Sequence, residues 1–359
     1  MSKCYVSLGF PPAYLSFLSL FLATTTPLAC TAALYNNKVT TIASSSSYMF
    51  YGVAVDSNNN LYASNSNAEV YKYSLGNNST IGNLFAPTTI PTAATYGRPT
   101  GGSTASQIGV IYGLFVNRQS NDLYMSDIGG YYRGTIQTLI YNYRIQRWNL
   151  NGSVAGSIIA DSAGSGLNLN QIGVVYNIHT DVNGVLYVPD ATYHRVMKWS
   201  VGAITGVVVA GAANGATGSS LSLLSGPQGV CTDQVGNVYV SDTGNHRVVQ
   251  WAPDAKSGIV VAGGNGPGLH IAQLNSPRAI IVDEKRNLFI FDSGNLRIQQ
   301  WPPGATYGIM IFDGSYSNTV SAGSWGMAMD RVGNLYVTDH GGQRVQMISI
   351  VSASVCSGK

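Results

Sequence analysis

The sequence predicts an all-β fold, a six-bladed β-propeller of four-stranded blades, on three observations. One segment recurs six times. Each copy breaks into short β-branched and aromatic runs with no helical period. A spare strand near the N-terminus matches one that is missing at the C-terminus.

The clearest copy is GVCTDQVGNVYVSDTGNHRVVQW (Gly229 to Trp251). It returns as AIIVDEKRNLFIFDSGNLRIQQW (Ala279 to Trp301), GMAMDRVGNLYVTDHGGQRVQMI (Gly326 to Ile348) and NIHTDVNGVLYVPDATYHRVMKW (Asn177 to Trp199). Gly52 to Tyr73 is a worn fifth copy. Gly113 to Asp127 with RIQRW (Arg144 to Trp148) is a sixth, split by an insertion. An acid or amide occupies one aligned position throughout: Asp56, Asn117, Asp181, Asp233, Asp283 and Asp330. A fixed period of this kind marks a repeat architecture in which each unit packs on its neighbours.

Within the clearest copy, GVCTD reads as strand a, VGN as a tight turn, VYVSD as strand b, TGNH as a second turn and RVVQW as strand c. A strand d follows in SGIVVAGG (Ser257 to Gly264), with equivalents in TGVVVAGA, AGSIIAD and YGIMIFDG. After strand c of the last copy only a tail, 352–359, remains, whereas KVTTIAS (Lys38 to Ser44) stands unused ahead of the first copy. The N-terminal strand is therefore expected to complete the C-terminal blade, closing a ring over 35–351 and covering an edge that would invite aggregation.

The pattern of strand a, Asp, Gly-Asn, Leu-Tyr-Val, Asp, Gly-Asn-His-Arg-Val and a closing aromatic resembles the NHL-repeat family, most closely at Gly229 to Trp251. The resemblance covers about residues 38–350. It implies a six-bladed propeller and a family habit of binding proteins, peptides or RNA, with a few enzymatic relatives.

Asp242, His246 and Arg247 look like parts of an acid–base site, but the Asp and Arg recur as Asp190/Arg195, Asp292/Arg297 and Asp339/Arg344. A catalytic constellation is needed once and a fold device in every blade, so these pairs read as structural brackets of a turn. The first copy, with Asn65 and Glu69 instead, is expected to be the least well held. The turn histidines, His194 and His246, are expected at an exposed tip.

Function is expected on the face where b–c turns and d–a connections crowd the channel mouth. The residues that open strand a there are Tyr51, Tyr112, Tyr176, Gln228, Arg278 and Trp325. Flat rings stack and one Arg can hold a carboxylate, which suits a protein, peptide or small-molecule ligand; the alternative is that the rings merely plug the axis. Two insertions share this face, Ala86 to Gly109 and Ile128 to Tyr143, the latter presenting Tyr131, Tyr132, Arg133, Tyr141 and Tyr143 as a contact surface.

The family's peptidyl-hydroxyglycine lyase uses three zinc-binding histidines where strands a begin, and none of the six opening residues here is His. His179 lies inside a strand and reads as a core residue, while His270 and His340 fall in separate connections. No catalytic residue, metal or cofactor is therefore expected. The leading reading is a non-catalytic binding module, a monomer, with a metal-dependent lyase or lactonase-like hydrolase as the alternative.

Composition agrees with a folded domain: of 359 residues 45% are hydrophobic and 10% charged, and a net charge of +3 is too small a footprint for nucleic acid. No charge falls between Lys3 and Lys38, and Ala13 to Ala23 is an apolar run of signal-peptide length, so residues 1–32 read as a secretory signal cleaved near Ala32. Pro27 argues against both a cut after Ala29 and a lipid anchor on Cys30. No later segment could span a membrane. An extracellular chain predicts glycan at one or more of Asn77, Asn78 and Asn151. It also allows a Cys30–Cys356 disulfide locking the ring closure, provided cleavage spares Cys30. Cys231, in an inner strand, reads as a buried free thiol.

Overall fold

A computed structural model describes residues 34–75, 82–86, 107–128, 130–133, 138–152, 156–160, 164–314, 320–321 and 324–351. The signal segment, Cys30, Cys356, the sequons at Asn77 and Asn78, and most of the 86–109 insertion lie outside them.

Six sheets of four antiparallel strands make the six blades of a β-propeller. In the fourth blade strand a is Gly229–Thr232, b is Val238–Asp242, c is Arg247–Trp251 and d is Ile259–Gly263. The sixth blade runs Met327–Met329, Leu335–Asp339 and Arg344–Val351, and its outer strand is the N-terminal Leu34–Ser44. That strand pairs antiparallel with the final one, Thr40 opposite Met347 and Ser44 opposite Arg344, as the strand count requires.

Burial grades outward from the axis. Strand b is wholly buried in blades two to six, whereas strand d shows exposed residues at its start, as in Ile259 and Val260. Trp148, Trp199, Trp251 and Trp301 close strand c in four successive blades, each at most 2% exposed, and fill the space between neighbouring sheets. Cys231 is a buried free cysteine, and burial pushes its thiol pKa up.

The far face is held by a second repeated device that turns on the aligned acid. Asp233 Oδ1 accepts the amides of Val235 and Asn237, while Oδ2 accepts Asn237 Nδ2 at 2.7 Å and the Tyr239 hydroxyl at 3.0 Å. Asp56 and Asp330 do the same with Asn60/Tyr62 and Asn334/Tyr336. A carboxylate that satisfies turn amides and side chains together fixes the a–b hairpin.

On the loop face the Asp–Arg pairs bracket the b–c turn. Asp242 Oδ2 accepts Arg247 Nε at 2.7 Å, and the guanidinium reaches past it to the carbonyls of Ser219, Ser220 and Leu223 in the preceding connection. Arg195 and Arg297 repeat the arrangement, and Arg344 pairs with Asp339 at 2.7 Å. A fifth pair, Asp127 with Arg144 at 2.8 Å, survives the insertion between them. In the first blade Asn65 caps the amides of Asn67 and Glu69 and donates to the Glu69 carboxylate at 2.9 Å.

The turn histidines are not at an exposed tip. The residue before the Arg, or before Glu69 in the first blade, is left-handed in every repeat, with φ from 47° to 61° at Ala68, Tyr143, His194, His246, Leu296 and Gln343. This folds the side chain back against the next blade. His194 Nδ1 accepts the Gly226 amide and His246 Nδ1 the Ser276 amide, both at 3.0 Å, so these half-buried rings tether the following connection.

Candidate functional site

The six opening residues converge at the axis, because strands a approach more closely there than side chains allow. A Cβ on Gly229 would stand 2.0 Å from the Arg278 carbonyl oxygen, and one on Gly326 would stand 2.7 Å from that of Tyr51. In the four blades where glycine follows the opening residue, Gly52, Gly113, Gly229 and Gly326, it permits this close approach. Hydroxyls of strand b stitch the same level: Thr338 accepts the Gly326 amide and donates to the Tyr51 carbonyl, and Ser64 links the Gly52 amide to the Ile111 carbonyl.

Four aromatic side chains meet across this ring. Tyr51 lies 5.2 Å from both Tyr112 and Trp325, and Tyr176, three blades away from Trp325, is only 5.6 Å from it. The rings therefore close the axis at this level while each stays half-exposed. His340, which sequence spacing had assigned to an isolated connection, packs 5.2 Å from both Tyr51 and Trp325. Burial holds its pKa below the ordinary value, the Arg278 cation adds to that shift, and Asp339 opposes it. Burial raises the Tyr112 phenol to about 12, with Tyr51, Tyr176 and Tyr141 contributing.

Two polar groups complete the mouth. The Arg278 guanidinium stacks 5.5 Å over Trp325 and donates one bond of 3.3 Å to the Ser324 carbonyl. Among the described residues its Nε, buried, has no hydrogen-bond partner, and neither has the buried Oε1 of Gln228 on the neighbouring blade. Burial lowers the Arg278 pKa, partly offset by Tyr176.

The insertion in blade two is a hairpin ribbon, Gly130–Arg133 paired with Thr138–Tyr141. It carries Tyr131, Tyr132 and Arg133 on one strand, while exposed Tyr141 packs 5.6 Å from Tyr143 at its base. Asn151 is exposed in the turn after strand c, its Oδ1 accepting Asn121 Nδ2.

Beneath the aromatic layer a cavity of about 320 Å³ is lined by the next residues of strands a and by the a–b turns. Its walls include Phe115, His179, Cys231, Ile281 and Met329. His179 lines a hollow rather than packing in solid core, with Nε2 2.9 Å from the Thr232 hydroxyl and its ring 4.7 Å from Phe115. Enclosure by protein lowers its pKa to about 3, so the ring is neutral. Arg118 bonds the Val55 carbonyl at 3.2 Å and the Met329 carbonyl, joining blades one, two and six. Sequence reasoning missed Arg118 because its partners lie in other blades. Among the described residues no three His, Cys, Asp or Glu side chains gather as metal ligands, and no helix is long and apolar enough to cross a membrane.

The geometry defines a six-bladed propeller with a one-off aromatic and cationic mouth. Residues 224–251, the fourth copy, match the NHL repeat. No curated protein matches the chain in sequence. Solved structures share the fold at low identity. A gluconolactonase from Xanthomonas campestris is 14% identical, with TM-score 0.59 over 91% of this chain and 94% of that one. An auxiliary nutrient binding protein from Bacteroides thetaiotaomicron is 11% identical, with TM-score 0.59 over 87% and 76%. A chain of a nidogen/laminin complex is 17% identical, with TM-score 0.52 over 81% and 85%.

Proposed function

We propose that the chain is a secreted, non-catalytic binding module whose loop face, centred on the mouth, takes a protein, peptide or small ligand. The observation that carries this reading is the half-exposed cluster of Tyr51, Tyr112, Tyr176, Trp325 and His340 beside Arg278. Rigid rings offer large contact area at low entropic cost, and this set occurs once rather than in each repeat. The Tyr-rich ribbon extends the same face. Secretion rests on the uncharged apolar N-terminus and the sequons; it calls for a mass loss on glycosidase treatment of protein from a eukaryotic source.

The mouth has a built-in reporter. Four of the five tryptophans are buried in strand c and only Trp325 is half-exposed. Partner capture from the native extracellular fluid should succeed with the wild type, shield Trp325 fluorescence from acrylamide, and fail with Trp325→Ala or with 130–142 cut to a short turn. Equal capture by all variants would overturn the reading. Stoichiometric zinc or calcium in the purified protein would favour the lyase or lactonase-like reading instead.

A further inference from the structure

We infer that the mouth takes a monoanionic carboxylate with a hydrogen-bond donor beside the charge and a flat apolar body. This rests on the mouth being the binding site. Arg278 is a cation whose charge burial penalises, yet among the described residues no carboxylate pairs with it and its Nε finds no hydrogen-bond partner. Five other arginines of the loop face, Arg144, Arg195, Arg247, Arg297 and Arg344, each have an aspartate within 3.4 Å. A desolvated charge left uncompensated is costly, so an anion arriving from solution gains a partner that the fold withholds. The planar guanidinium fork suits a carboxylate.

One guanidinium, beside a His340 whose protonation is disfavoured, matches a single negative charge better than a phosphate dianion. Gln228 sets the second requirement. Its amide oxygen is buried and unpaired on the adjacent strand a, which the side-chain-free Gly229 brings against the Arg278 backbone. An O–H or N–H next to the carboxylate would satisfy it. The half-buried rings of Tyr112 and Tyr176, beside Trp325, supply the apolar surface for a planar body.

Three probes separate these requirements: mandelate, phenylacetate without the hydroxyl, and mandelamide without the charge. Calorimetry on the full chain should rank mandelate first, with mandelamide weaker by roughly tenfold, the scale of one charge-assisted hydrogen bond. Arg278→Gln should bring mandelate down to the mandelamide level, and Gln228→Leu should erase the difference between mandelate and phenylacetate. Both variants must keep the wild-type melting curve, and phenylacetate binding by Gln228→Leu controls for an intact mouth. Equal binding of mandelate and mandelamide by the wild type, or selectivity surviving in Arg278→Gln, overturns the inference. If all three probes shield Trp325 equally, the mouth remains a site and only the carboxylate is lost. Mandelate binding without shielding of Trp325 overturns both readings, and no binding of any probe at millimolar concentration overturns the carboxylate alone.

Discussion

Arg247 and Arg278 carry the same guanidinium on the same face of adjacent blades, and the fold treats them in opposite ways. Arg247 is surrounded by acceptors, a carboxylate at 2.7 Å and three backbone carbonyls of the preceding connection. Arg278 has one long bond, an aromatic face and an unpaired Nε. The first arrangement recurs in blade after blade and the second occurs once. Repetition with complete satisfaction marks a structural device, and singularity with incomplete satisfaction marks a place where something else is meant to bind.

Removing the repeated arginine should have the largest effect. Arg247→Ala leaves Asp242 buried without its cation and frees the Ser219–Leu223 connection, so a loss of about 3 to 5 kcal/mol in chemical denaturation is expected. Arg344→Ala should cost clearly less, because that side chain is 28% exposed. Equal costs at both positions would mean that burial does not set the worth of these pairs. Arg278→Gln should fall at the other extreme, within about 0.5 kcal/mol of wild type, since relief of a penalised buried charge offsets the lost stacking on Trp325 and the one long bond to Ser324. A loss as large as that of Arg247→Ala would make the mouth cation part of the framework.

The channel wall sharpens the contrast between one-off and repeated positions through its pH dependence. His179 resists protonation down to about 3 in the folded chain, against an ordinary value of 6.5. Below 6.5 the unfolded chain takes up a proton that the folded chain refuses, so this residue makes stability fall as pH falls from 6.5 towards 3. The buried Asp190, Asp242 and Asp292, whose pKa values burial raises, act in the opposite sense. Burial pushes Asp190 up to about 6 against the pull of Arg195, so its contribution is greatest below 3.8 and declines as pH rises through 6. Comparing wild type with His179→Phe cancels the aspartates. The wild type should lose roughly 3 kcal/mol more than the variant between pH 7 and pH 4. Parallel pH profiles would show that water reaches the ring freely.

The ring, the strand order and the closure were legible in the sequence because a β-propeller repeats its instructions. The Asp–Arg bracket, for example, could be read as structural from four copies alone, and the structure added Asp127/Arg144. The six mouth residues were legible for the same reason, since alignment of the copies points to the residue that opens strand a. Sequence could not show that Tyr176 would reach across to Trp325, because ring closure brings opposite blades together only in space. His340 and Arg118 were missed because contacts they make, His340 to Tyr51 and Arg118 to Val55 and Met329, cross between blades. The turn histidines were misplaced because a left-handed φ at a non-glycine residue has no composition signal, yet it belongs to the turn from which His246 accepts the Ser276 amide.

A smaller effect than that of the buried pairs tests whether one blade's device can be read from another's. Tyr239 donates its hydroxyl to Asp233 at 3.0 Å, Tyr62 and Tyr336 donate likewise, and the fifth blade has Phe289 at the same place while Asp283 is still held by Asn287. The fold therefore tolerates the missing hydroxyl once. Tyr239→Phe keeps the ring and removes a single hydrogen bond to a carboxylate that retains Asn237 and two turn amides, so a loss of about 1 kcal/mol is expected. Adding Tyr336→Phe should cost a similar amount again, because the two turns lie in separate blades and share no partner. A double variant much worse than the sum would mean that the a–b turns act together around the channel, and the far face would then be one cooperative rim rather than six independent hairpins.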